Sequence, residues 1–411
     1  MRFSTCSAWV LACCLTAACS GGADGEALGE DATRAELRED VGDVVWSDAR
    51  PVQAELDALT AAELPSAPAL GVLTTFVALA PLELFVAPNG SDQGDGSAQK
   101  PLATLMGVHA RLGALYPAPH PLDRNVEVRI APGTYLAEEV RWELPSSGHS
   151  ITFMPDGFKV GMSFDHVKAL GGRPVFDGRK ACLAKSAGQD CKFFLIDQPK
   201  NSGPTRLRFY YLDVRNYATS GIALHNSGDG LNLIFGCRFA DIGTYPAAFH
   251  KLLHGMAAVG LSDSDHNVVQ NNHFVNIRNQ TTEVRFLHAV YMNVMSDKNR
   301  IVNNFTFGVS GVPIKVRQFS NENVVTGNTL RCSGGKSFFL DYPEDFPASS
   351  SRQDECESWE NHFTGNTLDC GYDGGGLLTT YAEPGRTCGA PASWQRFRVS
   401  GNTNVCTSSC P

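Results

Sequence analysis

The sequence predicts an all-β, single-domain solenoid of stacked parallel coils, and three observations predict it. The first is a recurring phrase in the C-terminal half, Ser-x-x-Asn-x-(Val/Ile/Phe)-x-x-Asn. It reads Ser264, Asn267, Val269, Asn272, then Ser296, Asn299, Ile301, Asn304. It returns as Ser320, Asn323, Val325, Asn328 and as Ser358, Asn361, Phe363, Asn366. An earlier degenerate copy keeps Asp229, Asn232 and Ile234 but ends in Cys237, and a last one keeps Val399 and Asn402. The second observation is the period. The final positions 237, 272, 304, 328, 366 and 402 lie 35, 32, 24, 38 and 36 residues apart. Repeats of that length bury their apolar face only by stacking on a neighbour. The third is alternation of apolar and polar residues within each copy, which is strand spacing, between Gly, Asn, Ser and Asp turns. Asn recurring at one register suits a stacked turn. It tolerates the left-handed conformation, and its amide can bond the equivalent Asn one coil on.

Reading from the N-terminus, Met1-Arg2-Phe3, the apolar Ala8 to Ala18 and Thr16-Ala17-Ala18-Cys19 form a segment too short to span a bilayer. Residues 1–19 therefore read as a secretory signal. With Ser20-Gly21-Gly22 after it, the segment resembles a bacterial lipobox. That resemblance implies lipidation at Cys19 and, with Ser20 in place of Asp, an outer-membrane anchor. Simple secretion is the alternative. Residues 20–80 form an Ala-rich, acidic tether, partly helical over Glu36 to Leu59 and interrupted by Pro51.

Folded structure is expected from Leu84. The strand Leu84-Phe85-Val86 meets Pro88-Asn89-Gly90, and Leu102, Leu105, Val108 and Leu112 have helical apolar spacing. Val126 to Ile130 and Pro132-Gly133-Thr134-Tyr135 follow. These segments resemble the opening of bacterial pectate-lyase-like exported proteins of the pectin lyase-like superfamily. The resemblance implies a right-handed parallel β-helix over residues 84–406 with an N-terminal cap helix, the cover a first coil needs. Later strands fall at Ile151–Phe153, Val175–Gly178, Phe193–Ile196 and Leu207–Val214. A second set precedes each Asn phrase, so a coil carries at least two strands. Residues 332–411 read as Cys-rich, loop-rich C-terminal coils.

Charge and cysteines narrow the class. A net charge of −9, with no Lys/Arg-rich run, argues against nucleic acid. Nine cysteines lie beyond the signal, as an oxidising destination allows. Short loops suggest Cys182–Cys191 and Cys406–Cys410, with Cys332–Cys356 and Cys370–Cys388 closing larger ones. Cys237, at a ladder position, is left as a buried free thiol.

The densest chemistry falls on adjacent coils. Aligning them by the Ser and Asn phrase sets Tyr291 opposite Lys315 and Asn293 opposite Arg317, each 24 residues apart. Alternation through Val312 to Arg317 turns Lys315 and Arg317 outward together, and coils stack about 4.8 Å apart. Another 24 residues brings Asp341 beside Arg317. His288 shares the inward parity of Val312, His225 extends the same sheet, and Glu344 and Asp345 sit on a Pro-flanked loop that would wall a groove. His288-Ala289-Val290-Tyr291 and Val309 to Arg317 also resemble a stretch common in exported β-helix proteins, which implies fold rather than reaction.

β-Elimination in a uronate polysaccharide needs a carboxylate neutralised, a base for the α proton and an acid for the leaving oxygen. Arg317 suits the first, Lys315 beside a second cation the base, and Tyr291 the acid, with His288 beside them. His225, Asn293 and Asp341 would line the substrate. The sequence lacks the Asp-Asp pair and Gly-His-Gly of the family's hydrolases and the Arg-x-Pro-x-x-Arg of its calcium-dependent lyases. No cofactor is implied, although Asp263 and Asp265, with Asp229, would offer oxygen ligands to Ca²⁺. The expectation is an exported, monomeric, carbohydrate-active protein of the cell surface or periplasm whose partner is a polysaccharide. The alternatives are an Arg317–Asp341 ion pair with Lys315 solvated, and a non-catalytic rod for glycan binding or adhesion.

Overall fold

The structure, a computed structural model, describes residues 79–117, 120–137, 139–146, 148–197, 205–228, 230–344, 355–374, 377–406 and 410. These residues fall within one compact unit, 71–411. The segment read as a signal, with Cys19, the segment read as a tether up to residue 78, Asp229 and Asp345 lie outside the described residues.

The chain winds into a parallel β-helix of three sheets. The first sheet stacks ten strands from Leu82–Val86 to Phe397–Ser400, and the second nine from Thr134–Tyr135 to Thr403–Asn404. The third stacks eight, namely Val140–Trp142, Lys192–Asp197, Ser220–Gly228, Ala257–Ser264, His288–Asn293, Ile314–Val316, Ser337–Asp341 and Leu378–Ala382. Every strand pairs in parallel with its counterpart one coil on. Each full coil thus has three strands rather than the two the sequence made legible. The chain turns again at Tyr211, whose φ is 52°, splitting the stretch read as one strand from Leu207 to Val214.

The middle residue of each Asn phrase from Ile234 to Phe363 is a core residue, whereas Val399 in the last copy is exposed. Leu84, Val128, Phe153, Phe209, Ile234, Val269, Ile301, Val325 and Phe363 form one inward row, paired in register from coil to coil. All are buried, and the Phe153 and Phe209 rings stack at 5.1 Å. Cross-strand rows of this kind are the unit of sheet stabilisation. At the N-terminal end, helix Leu105–Leu115 buries Leu105, Val108 and Leu112 against the first coil. Its Thr104 cap accepts from the Gly107 N–H at 2.9 Å, and Asp92 accepts from the Ala103 and Thr104 N–H groups.

The Asn residues form two buried ladders. Asn232, Asn267, Asn299, Asn323 and Asn361 occupy the corner entering the first sheet. Asn272, Asn304, Asn328, Asn366 and Asn402 occupy the corner leaving it. From Asn267 and Asn304 onward, each side-chain carbonyl accepts from the backbone N–H and the amide of the Asn one coil before. The ladder residues themselves are not left-handed, contrary to expectation. That conformation falls one place earlier, at His266, Lys298, Glu322 and Glu360 in one corner and Asn271, Asn303, Gly327 and Gly365 in the other. One residue supplies the bend, which frees the next to supply its amide.

The cysteines follow the coil, not the loop. Cys182–Cys191 is paired as expected, but the remaining pairs are Cys332–Cys410, Cys356–Cys388 and Cys370–Cys406. Cys332, Cys370 and Cys406 each lie four residues after a ladder Asn (328, 366, 402), so stacking sets them in one column. Short-loop pairing ignored that stacking. Four disulfides belong to a chain that folds in an oxidising compartment. Among the described residues no helix is long and apolar enough to cross a membrane.

Cys237 is free and fully buried, with its N–H on Asn272 Oδ1 at 2.9 Å and its thiol pushed up to about 12 by burial. With the first 19 residues removed, the native protein should show no reactive thiol, and the denatured, unreduced protein one. Two or more titrated thiols would contradict this pairing.

Candidate functional site

The expected cluster assembles on the outward face of the third sheet. Val290, Met292, Ile314 and Val316 turn inward into the core, so the residues between them turn out. Tyr291 lies opposite Lys315, and the Arg317 N–H donates to the Met292 carbonyl, which continues the register to Asn293. Towards the N-terminus the outward row continues through Gly260 and Ala223, and the adjacent row runs Asn293, Ser262, His225, Asp197. A Cβ on Gly260 would meet nothing within 4 Å, so the face opens beside Tyr291. In the other direction Lys315 pairs with Leu340 and Leu340 with Tyr381.

Lys315 is nearly enclosed, at 7% exposure. Its amine lies 5.1 Å from the centre of the Tyr291 ring and 4.9 Å from that of Tyr342. Among the described residues it forms no hydrogen bond or ion pair. Burial first, then the Arg317 charge, bring its pKa down to about 8, with Glu355 and Glu344 opposing. The Tyr291 phenol is raised by burial, while Arg317 and Asn293 pull the other way. At neutral pH it keeps its proton.

Asp341 is not beside Arg317, which corrects both the substrate-binding assignment and the alternative of an Arg317–Asp341 ion pair. The coil after Lys315 carries one more residue, so Asp341 pairs in register with Val316 and faces inward. There it accepts from the Ser358 N–H at 3.0 Å and from Arg396 Nε at 2.6 Å. Arg317 is held instead by two carboxylates on the following loop. Its Nε and Nη2 fork onto Glu355, the Nη2–Oε1 bond being 2.6 Å, and Nη2 also contacts Glu344. Sequence reading found Glu344 as a loop wall and missed Glu355, because that loop follows no repeat register. A two-strand bridge fixes it: Glu355 N–H donates to the Glu344 carbonyl and Arg386 N–H to that of Glu355, each at 3.0 Å.

His288 is buried, its Nδ1 donating to the Val312 carbonyl at 2.6 Å and its ring 5.5 Å from that of Tyr291. Burial, then Lys315, hold it down to about 3, so it stays neutral and supports Tyr291 from within. His225 lies two coils from Asn293 on the same face, and is likewise lowered by burial and by Lys192. The structure therefore brings Tyr291, Asn293, Lys315 and Arg317 together, sets His225 along the face and His288 behind it, and removes Asp341.

Asp263 and Asp265 lie on the corner between the third and first sheets. Asp263 takes the left-handed position, φ 51°, and Asp265 Oδ1 accepts from the Asp297 N–H at 2.7 Å. Asp297 accepts from Asn321 N–H at 2.6 Å, and Asn321 from Trp359 N–H at 2.8 Å. The column is a third ladder in which the Asp265, Asp297 and Asn321 side-chain oxygens accept from backbone N–H groups. Burial and the neighbouring Asp265 raise Asp297 to about 6. A raised carboxyl contributes stability fully below 3.8 and loses it as pH rises through about 6. Asp297→Asn keeps the acceptor without the charge. It should stabilise above pH 6 by up to about 1 kcal/mol after solvent screening and flatten melting temperature against pH between 4 and 6. Unchanged pH dependence would sink this. Cys370 and Cys406, the other ligand types beside a carboxylate (Asp369), are joined in a disulfide.

No family model matches the chain, and no curated protein matches it. Among solved structures, a rhamnogalacturonan lyase is similar at 12% identity and TM-score 0.34, over 79% of this chain and 87% of that one. A GH136 lacto-N-biosidase from Eubacterium ramulus is similar at 9% and 0.31, over 79% and 68%. The complex of XylC with xylose is similar at 9% and 0.37, over 73% and 70%. Likeness at this level assigns neither family nor activity.

Proposed function

We propose that the outward face of the third sheet binds an acidic polysaccharide, and that the protein is an exported lyase cleaving it by β-elimination. The observation that carries this reading is the Lys315 amine, nearly enclosed between two tyrosine rings and without a hydrogen-bonding partner among the described residues. Perturbed basic groups in such surroundings are poised for proton transfer. In its neutral form Lys315 takes the proton on the carbon α to the uronate carboxylate. The electron pair forms the C4–C5 double bond as the C4–O bond breaks, and Tyr291 gives its proton to the leaving oxygen. Proton return from Lys315 to Tyr291 resets the pair. Arg317 faces the carboxylate, and Tyr342, 40% exposed, offers an aromatic surface for sugar rings.

A non-catalytic glycan-binding rod is the second reading, favoured by the closure of Arg317 on Glu355 and Glu344. The test is absorbance in the unsaturated-uronate band, with the chain from residue 20 onward mixed with pectins, alginates and glycosaminoglycans, calcium supplied. A rise supports the lyase. Silence across the panel with retained glycan binding would leave the rod.

A further inference from the structure

Glu344 and Glu355 both contact Arg317, but they are not equivalent. Glu355 is fixed: its side chain is 6% exposed, it takes the Nε–Nη2 edge of the guanidinium, and its Oε2 also accepts from the Glu344 N–H at 3.0 Å. Glu344 is 42% exposed and meets Arg317 only through Nη2. The guanidinium's other side-chain partner is Tyr291, a neutral phenol, and among the described residues no carboxylate meets Nη1. A guanidinium presents five N–H donors in a planar fork, and a carboxylate is held best by two parallel bonds along one edge. With the Nε–Nη2 edge filled by Glu355, the remaining edge is Nη1–Nη2. Glu344 now holds half of it.

We infer that Glu344 stands in for a substrate carboxylate on Arg317, and that an acidic sugar binds by displacing it. The inference rests on the uronate reading above and names the residue that sets its selectivity. Charge favours the exchange. With both carboxylates in place, Arg317 and a protonated Lys315 are already balanced, so a third carboxylate enters only if one leaves. The exposed, singly held one is the one that can. A neutral sugar gains nothing from the exchange, so the site answers to acidic sugars alone.

The experiment is calorimetric titration of trimers of galacturonate, glucuronate and mannuronate, with galactose, glucose and mannose trimers as neutral counterparts. Wild type, Glu344→Gln and Glu355→Gln are compared, with melting temperatures recorded for each. Glu344→Gln should bind its uronate trimer about tenfold more tightly, because the displaced competitor and its charge are gone. Its affinity for neutral trimers should not change, and its melting temperature should stay near that of wild type. Glu355→Gln, which loosens the fixed edge, should weaken uronate binding. Glu344→Gln no tighter than a wild type that binds uronates overturns the Glu344 assignment and leaves the lyase reading standing. Uronate binding by neither protein overturns both.

Discussion

Lys315→Ala is expected to lower kcat on a uronate polysaccharide by about 10²–10⁴-fold, the range a positioned general base contributes, with a smaller change in KM. The side chain takes part in proton removal, which occurs only on the way to the transition state, so its loss falls on the chemical step. Lys315→Met is the companion variant, because it keeps most of the volume between the Tyr291 and Tyr342 rings while removing the amine. Both should lose activity alike. The wild-type profile carries a second check. A base acts unprotonated, and burial and Arg317 have brought Lys315 down to about 8. Activity should therefore rise with pH through about 8 and fall away on the acid side, where the amine is protonated. Tyr291→Phe retains the ring and deletes the donor, and should match Lys315→Met in direction. A Lys315→Met protein with more than a tenth of wild-type kcat would show that another group takes the proton.

What the sequence revealed and what it hid divides along the register. Residues in the repeat were legible: the phrase named the inward row from Ile234 to Phe363 and both ladder corners. A 24-residue offset placed Tyr291 against Lys315. One further coil broke the offset, and Asp341 went from the outward patch to the interior. A period of two means that a slip of one residue moves a side chain to the other face. Most second-sheet strands beyond Val175–Asp177 were hidden because segments such as Arg238–Ala240 carry no recurring motif residue. Glu355 was hidden because long-range packing, not spacing, brings its loop to Arg317. The disulfides were misread for a related reason. Loop length was weighed where coil stacking decides.

Asn304→Ala should be the most destabilising single change in the coil, at about 3–5 kcal/mol, because it opens the ladder at a fully enclosed point. The Asn304 carbonyl accepts from the Asn272 N–H at 2.9 Å and amide at 3.0 Å, and its own amide donates to Val269 O and to Asn328 Oδ1. Alanine deletes all four bonds and strands the buried Asn272 N–H, at about 1–3 kcal/mol for each orphaned group. The protein contains its own comparison. At the N-terminal end of the same ladder Cys237 replaces Asn, fills the volume, and offers sulfur to the Leu212 N–H at 3.5 Å. Asn304→Cys should therefore lie between wild type and Asn304→Ala in urea midpoint, since sulfur is a weak acceptor but leaves no cavity. Amide exchange should accelerate first at Asn272, where the donor is stranded, and little at distant coils, because each coil touches only its neighbours. An Asn304→Ala unfolding free energy within about 1 kcal/mol of wild type would mean that the apolar rows alone hold the stack. The recurring Asn would then select the coil without stabilising it.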